Sequence, residues 1–168
     1  MKTVTTKTYA LPKDSGVLDV WFPLWDGRYT VKAGGSQTEG RLLHMLVREP
    51  QGAAPPVHIH RDADETWYVV DGQLTIWVGD ERFEASAGDF VIGPKGIPHT
   101  YLVRSERAEF IATFTPAGDA EDFFAEIGIP VVAGQLHPGA VPVDPEDFAR
   151  RAAAHSIEIV GPPPGLDS

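Results

Sequence analysis

The 168-residue chain contains no cysteine. That absence excludes a disulfide framework, a thiolate zinc site and a cysteine nucleophile together. Positive charge is also scarce: 14 Lys and Arg stand against 24 Asp and Glu, a net charge of −10. Such a surface repels phosphate backbones, and no basic stripe offsets it, which argues against a nucleic-acid partner. Apolar runs fall far short of the ~20 residues that span a bilayer. Lys2 and Lys7 are followed by no apolar stretch, so no secretory signal is evident. A cytoplasmic enzyme or small-molecule-binding protein, without a membrane or nucleic-acid partner, is the expectation.

What the chain has in quantity is glycine and proline, 17 and 15 residues spread along its length. Dispersed turn formers favour many short strands over a few long helices. Over 41–49 the sequence alternates, with Leu43, Met45 and Val47 on one face and Leu42, His44, Leu46 and Arg48 on the other, the period of a strand. Further strands are expected at 66–70, 74–78, 82–85, 90–92, 99–103 and 109–114. Asp71-Gly72 reads as a hairpin turn and Gly79-Asp80 as another turn. This spacing predicts an all-β sandwich or barrel of antiparallel sheets. After Pro116, Asp119 is a candidate N-cap for a helix ending at Gly128. Asp144-Pro145 opens a second helix reaching about His155. The tail around Pro162-Pro163-Pro164 is expected to be extended and loosely held.

Chemistry concentrates between Gly52 and Gly72. His58 and His60 stand two apart, so on a strand their imidazoles share one side and can converge on one ion. Glu65 follows a polar tetrapeptide suited to a tight turn, and should return on the next strand, antiparallel to the first, facing the same point. His99 begins a later strand, entered through the rigid turns of Pro94, Gly96 and Pro98. Three imidazoles and a carboxylate suit one divalent transition-metal ion, Fe, Mn, Ni, Co, Cu or Zn, with positions left open for substrate or water.

These residues resemble the cupin superfamily. Its first motif, G-x5-H-x-H-x4-E-x6-G, is matched by Gly52, His58, His60, Glu65 and Gly72. Its second, G-x5-P-x-G-x2-H-x3-N, is matched by Gly88, Pro94, Gly96 and His99, with Val103 where the motif has asparagine. The resemblance implies a double-stranded β-helix, or jelly roll, with short C-terminal helices and the metal in the barrel mouth. The residues His58, His60, Glu65 and His99 would be its ligands. It also implies a single domain over 1–168: a core barrel at about 40–116, N-terminal strands before it, a helical appendage over 117–160 and a tail from 161. The sequence from His60 to Gly72, with Pro116-Ala117-Gly118 and Phe123-Phe124, is similar to small bacterial cupins grouped with quercetin 2,3-dioxygenases.

If Glu65 and His99 point inward, strand parity turns Trp67, Val69, Tyr101 and Val103 inward as well. They are candidates for a substrate pocket, or simply for the barrel core. Phe123 and Phe124 either cap the barrel or pin their own helix. His44, His137 and His155 read as surface or packing residues, and Asp62 and Asp64 as solvated turn residues. The resemblance implies a metal-dependent dioxygenase that cleaves an aromatic or enolic small molecule with O2, with Glu65 as fourth ligand or as the catalytic base. A non-oxidative isomerase, cyclase or lyase, or a non-catalytic binding protein, is the alternative. A homodimer is expected, because the outer sheet and the aromatic N-terminal segment would otherwise expose apolar surface.

Overall fold

In strand β10 (Arg107–Thr115), Ala108, Phe110, Ala112 and Phe114 are buried while the residues between them face outward. This large–small alternation is what a strand needs to fill a closed interior from one side. In the computed structural model, which describes residues 8–136 and 139–168, the same pattern builds a jelly roll of two antiparallel sheets. The seven-stranded sheet also contains β1 (Leu18–Phe22), β2 (Gly27–Ala33), β3 (Leu43–Pro50), β5 (Asp64–Asp71), β8 (Phe90–Gly93) and β11 (Ile129–Pro130), in the order β11-β1-β2-β3-β10-β5-β8. The five-stranded sheet runs β12 (Ile157–Gly161), β4 (Val57–His60), β9 (His99–Val103), β6 (Gln73–Val78) and β7 (Glu81–Ser86). The core between them is dominated by Trp67, Phe22, Phe110, Phe114, Leu43, Leu74 and Ile76.

The links between strands decide which sheet each one joins. Asp71-Gly72 is not a hairpin turn, because β5 and β6 lie in different sheets. Gly72 instead carries the chain around a corner at φ 85°. A Cβ there would stand 2.4 Å from the Arg107 carbonyl oxygen, so a side chain cannot replace the glycine. Likewise β4 and β5 are not neighbours: residues 61–63 cross between the sheets, and Glu65 meets His58 and His60 across the barrel rather than along a shared ladder. Gly79-Asp80 does close a hairpin, joining β6 to β7.

Among the described residues three helices complete the fold: α1 (Gly35–Thr38), α2 (Ala120–Ile127) and α3 (Pro145–Ala154). Among the described residues no helix is long and apolar enough to cross a membrane. In α2 the buried residues are Ala120, Phe123, Phe124 and Ile127, one face of a 3.6-residue period. Asp119 occupies its N-cap position without a side-chain cap bond. Asp144 does cap α3, accepting from the Glu146 and Asp147 amides at 2.8 and 3.3 Å.

Two C-terminal expectations change. The segment expected as a helical appendage also supplies a barrel strand, β12, which pairs with β4. The tail is tied down, because the Arg104 guanidinium donates to the Leu166 and Ser168 carbonyl oxygens at 2.7 and 2.5 Å. The N-terminal aromatics differ from expectation as well. Phe22 and Tyr29 are buried and stack on each other at 5.0 Å, since β1 and β2 extend the large sheet over the core. Exposed apolar side chains gather instead on the outer face of β5 and β8, at Tyr68, Val70, Phe90 and Ile92.

Phe110 is 1% exposed and packs edge-on against Tyr101 at 5.2 Å. Phe110→Ala should cost about 3–5 kcal/mol of stability, measured by chemical denaturation.

Candidate metal centre

Four side chains from three strands converge at one end of the barrel. On β4, the alternation buries His58 and His60 and turns Ile59 outward. His58 is the register partner of His99 on β9, which sets their rings 4.5 Å apart. Glu65 enters from β5 in the opposite sheet. Its Oε2 lies 3.8, 3.2 and 3.1 Å from the Nε2 atoms of His58, His60 and His99. One ligand atom from each of the four residues lies within 4.8 Å of all the others. Gly93 stands opposite Glu65 in the ladder, and a Cβ there would come within 3.0 Å of the Trp67 ring, which packs edge-on against His99.

Second partners orient the imidazoles. Nδ1 of His58 lies 2.8 Å from the Pro56 carbonyl oxygen, and Nδ1 of His99 lies 2.9 Å from that of Ile97. A carbonyl only accepts, so each Nδ1 is assigned as the donor, which turns Nε2 of each ring toward Glu65. Burial pushes the His58 pKa down to about 4, against the raising effect of Glu65, so this ring is neutral at neutral pH. Burial alone would raise the Glu65 carboxyl, but hydrogen bonds with His58, His60 and His99 outweigh it and hold the group well below the usual carboxylate range. Three imidazole nitrogens and a carboxylate oxygen thus face one point. The donor set therefore fits a borderline divalent ion, with the backbone carbonyls supplying the outer hydrogen bonds typical of ligating histidines.

The tetrad faces a cavity of about 50 Å³ whose wall includes His58, His60, Glu65, Tyr29, Tyr101, Trp25 and a group of phenylalanines. Phe123 and Phe124 from α2 and Phe148 from α3 close it on one side. All four residues considered for the pocket turn inward, but only Tyr101 among them lines the cavity. Trp67, Val69 and Val103 are wholly buried and fill the core, because parity sets the side of a sheet and not the depth within the barrel. His44 lies outside the site with Nδ1 2.9 Å from Thr113 Oγ1, and His155 pairs with Glu126 at 2.6 Å. His137 falls outside the described residues.

Residues 45–114, which include all four converging side chains, match the family described as Cupin domain. The chain belongs to the cupin superfamily. It is 33% identical over 129 residues to quercetin 2,3-dioxygenase of Bacillus subtilis, an alignment covering 76% of this chain. This cupin spans only 38% of that relative's length. Among solved structures, an RmlC-like cupin from Shewanella frigidimarina superposes with a TM-score of 0.56 at 22% identity, covering 70% of this chain and 96% of the other. KdgF from Halomonas gives a TM-score of 0.52 at 23% identity, covering 56% of this chain and 83% of the other. At these identities the two structures bear on the fold alone.

Sequence reasoning missed Glu49. It is the next inward position after Leu43, Met45 and Val47, so parity could have found it. Glu49 is 3% exposed, and its Oε1 accepts from Trp25 Nε1 at 2.7 Å, Tyr29 Oη at 2.7 Å and Tyr101 Oη at 2.9 Å. Burial pushes its pKa up to about 7; the three donors lower it, and the Glu65 charge adds to the rise. Burial and then the Glu49 charge hold the Tyr29 and Tyr101 phenols well above their usual value.

A carboxyl raised from 4.5 to about 7 keeps a proton in the folded state that the unfolded chain has already released. Its stabilising contribution is complete below pH 4.5 and is lost as pH rises through about 7. At about 1.4 kcal/mol per unit the loss is on the order of 3 kcal/mol. Denaturation at several pH values should show the wild type losing about that much relative to Glu49→Gln. Parallel stability curves would refute the assignment.

Proposed function

We propose that this cupin is a metal-dependent oxygenase that cleaves a compact enolic or phenolic molecule with O2. The observation that carries the reading is a buried three-imidazole, one-carboxylate set opening onto an aromatic-walled cavity. The likeness to a quercetin 2,3-dioxygenase supports it. His58, His60 and His99 would hold one divalent ion, Fe, Mn, Ni, Co, Cu or Zn, with Glu65 as the fourth ligand or as the base. Such an ion, when bound, supplies Lewis acidity toward a substrate oxygen.

The protein's own groups supply the rest. The backbone carbonyls at Pro56 and Ile97 accept from Nδ1 of His58 and His99 and so hold each Nε2 toward the centre of the site. Glu65 is ionised across the neutral range, and its Oε2 is the atom in place to accept a proton from a hydroxyl entering the site. The phenylalanine walls exclude water, which strengthens each electrostatic contact inside.

Cavity size bears on the substrate. An engineered cavity of about 150 Å³ is known to bind benzene, and the space here is about 50 Å³. A single ring therefore enters only when the cavity wall gives, and a three-ring flavonol demands a far larger opening. This favours compact enols, diketones and simple phenols over flavonols.

Two measurements made together test the reading. Elemental analysis should find one transition-metal ion per chain in the wild type and little in His60→Ala. An oxygen electrode should record metal-dependent O2 uptake with at least one member of a panel of diketones and phenols. Metal-dependent turnover without O2 uptake would replace the oxygenase with a non-oxidative cupin. Absence of transition metal even after reconstitution would sink the metal site.

A further inference from the structure

A second buried acid stands apart from the tetrad. Glu49 has one oxygen that accepts from three donors, Trp25, Tyr29 and Tyr101. Its other oxygen, Oε2, is buried and has no hydrogen-bond partner among the described residues. A purely structural carboxyl so placed is costly, since a buried polar atom without a partner forfeits its hydration, and an apolar residue of similar size would avoid that cost. The three donors all line the same cavity as His58, His60 and Glu65. Away from the tetrad, the cavity wall is otherwise chiefly phenylalanine and aliphatic.

The hydrogen bonds give this cluster a definite polarity. Tyr29 accepts from Trp25 at 2.9 Å and donates to Glu49, so its hydroxyl is engaged on both sides. Tyr101 donates its proton to Glu49 and retains acceptor capacity on its oxygen. A ligand group meeting Tyr101 must therefore be a donor: a hydroxyl satisfies it, while an ether or a methyl does not. Tyr101 is two residues beyond His99 on β9, a backbone separation of about 7 Å along one face of the strand.

We propose that Tyr101, held as an acceptor by Glu49, forms a second polar subsite that takes a hydroxyl of a phenolic or enolic ligand remote from the tetrad. The proposal rests on the reading that this cavity receives such a molecule. In it Glu49 is a positioning residue: it takes the phenol proton of Tyr101 and so sets which ligand groups the tyrosine selects.

Phenol, toluene and anisole test it, because they share a ring and differ in one group. All three require the phenylalanine side of the cavity to yield, and that common requirement largely cancels in a ratio of affinities. Calorimetric titration of the protein as purified should find phenol binding about three- to tenfold tighter than toluene or anisole, the worth of one neutral hydrogen bond. The same preference should persist after treatment with a chelator, which separates this subsite from any attraction of phenol to a metal. Tyr101→Phe should abolish the preference, and Tyr29→Phe, which removes a hydroxyl from the same cluster, should keep it. Failure of all three probes to bind, equal affinities in the wild type, or a preference that survives in Tyr101→Phe would overturn the subsite. Since metal content and O2 uptake are read separately, loss of the oxygenase reading would leave these affinities still to decide the subsite.

Discussion

The structure turns on a carboxylate buried among three imidazoles. Glu65 can sit in the interior only because His58, His60 and His99 approach one of its oxygens from the facing sheet. Isolated, that charge would cost several kcal/mol. The register that pairs His58 with His99, the strand β12 that braces β4 from its other side, and the glycine at position 93 that admits the Trp67 ring all serve this meeting. The carbonyls at Pro56 and Ile97 accept from Nδ1 and so turn Nε2 of the two rings toward the carboxylate. Three imidazole nitrogens and a carboxylate oxygen gathered at one point fit a divalent cation.

Two buried glutamates in one barrel show how partners, and not burial by itself, set acidity. Both are enclosed. Glu65, bonded to three imidazoles, is held well below the usual carboxylate range. Glu49 meets only neutral donors and is pushed up to about 7, with the Glu65 charge contributing to the rise. The barrel thus keeps one carboxyl ionised on the wall of the aromatic cavity and raises the other behind the Trp25, Tyr29 and Tyr101 side chains that line it.

The helices beyond the sheets have a place in the same arrangement. Phe123 and Phe124 on α2 belong to both of the roles considered for them, since the face that pins the helix is also cavity wall. Phe148 on α3 packs on Phe123 at 5.7 Å and extends that wall. The aromatic contacts along one helical face thus both anchor the helix and bound the cavity.

Much of the fold and the tetrad was legible in the chain. Spacing marks His58, His60, Glu65 and His99, parity turns them inward, and dispersed glycine and proline announce many short strands. Local signals failed where the outcome depended on which sheet a strand joins. Asp71-Gly72 has hairpin chemistry but turns a corner, and the short β-branched run of Ile157, Ile159 and Val160 stands directly after a helical segment, with nothing local to say which sheet it joins. Period-two alternation reports the face of a strand and nothing about depth. It could not separate Tyr101, on the cavity wall, from Trp67, Val69 and Val103, packed beneath it. The sequence by itself determined the ligand types, their spacing and the faces they share, because those follow from backbone geometry over a few residues. Only the tertiary structure decided that Glu49 would meet Tyr29 and Tyr101, since that contact joins strands 20 and 52 positions away through register alone.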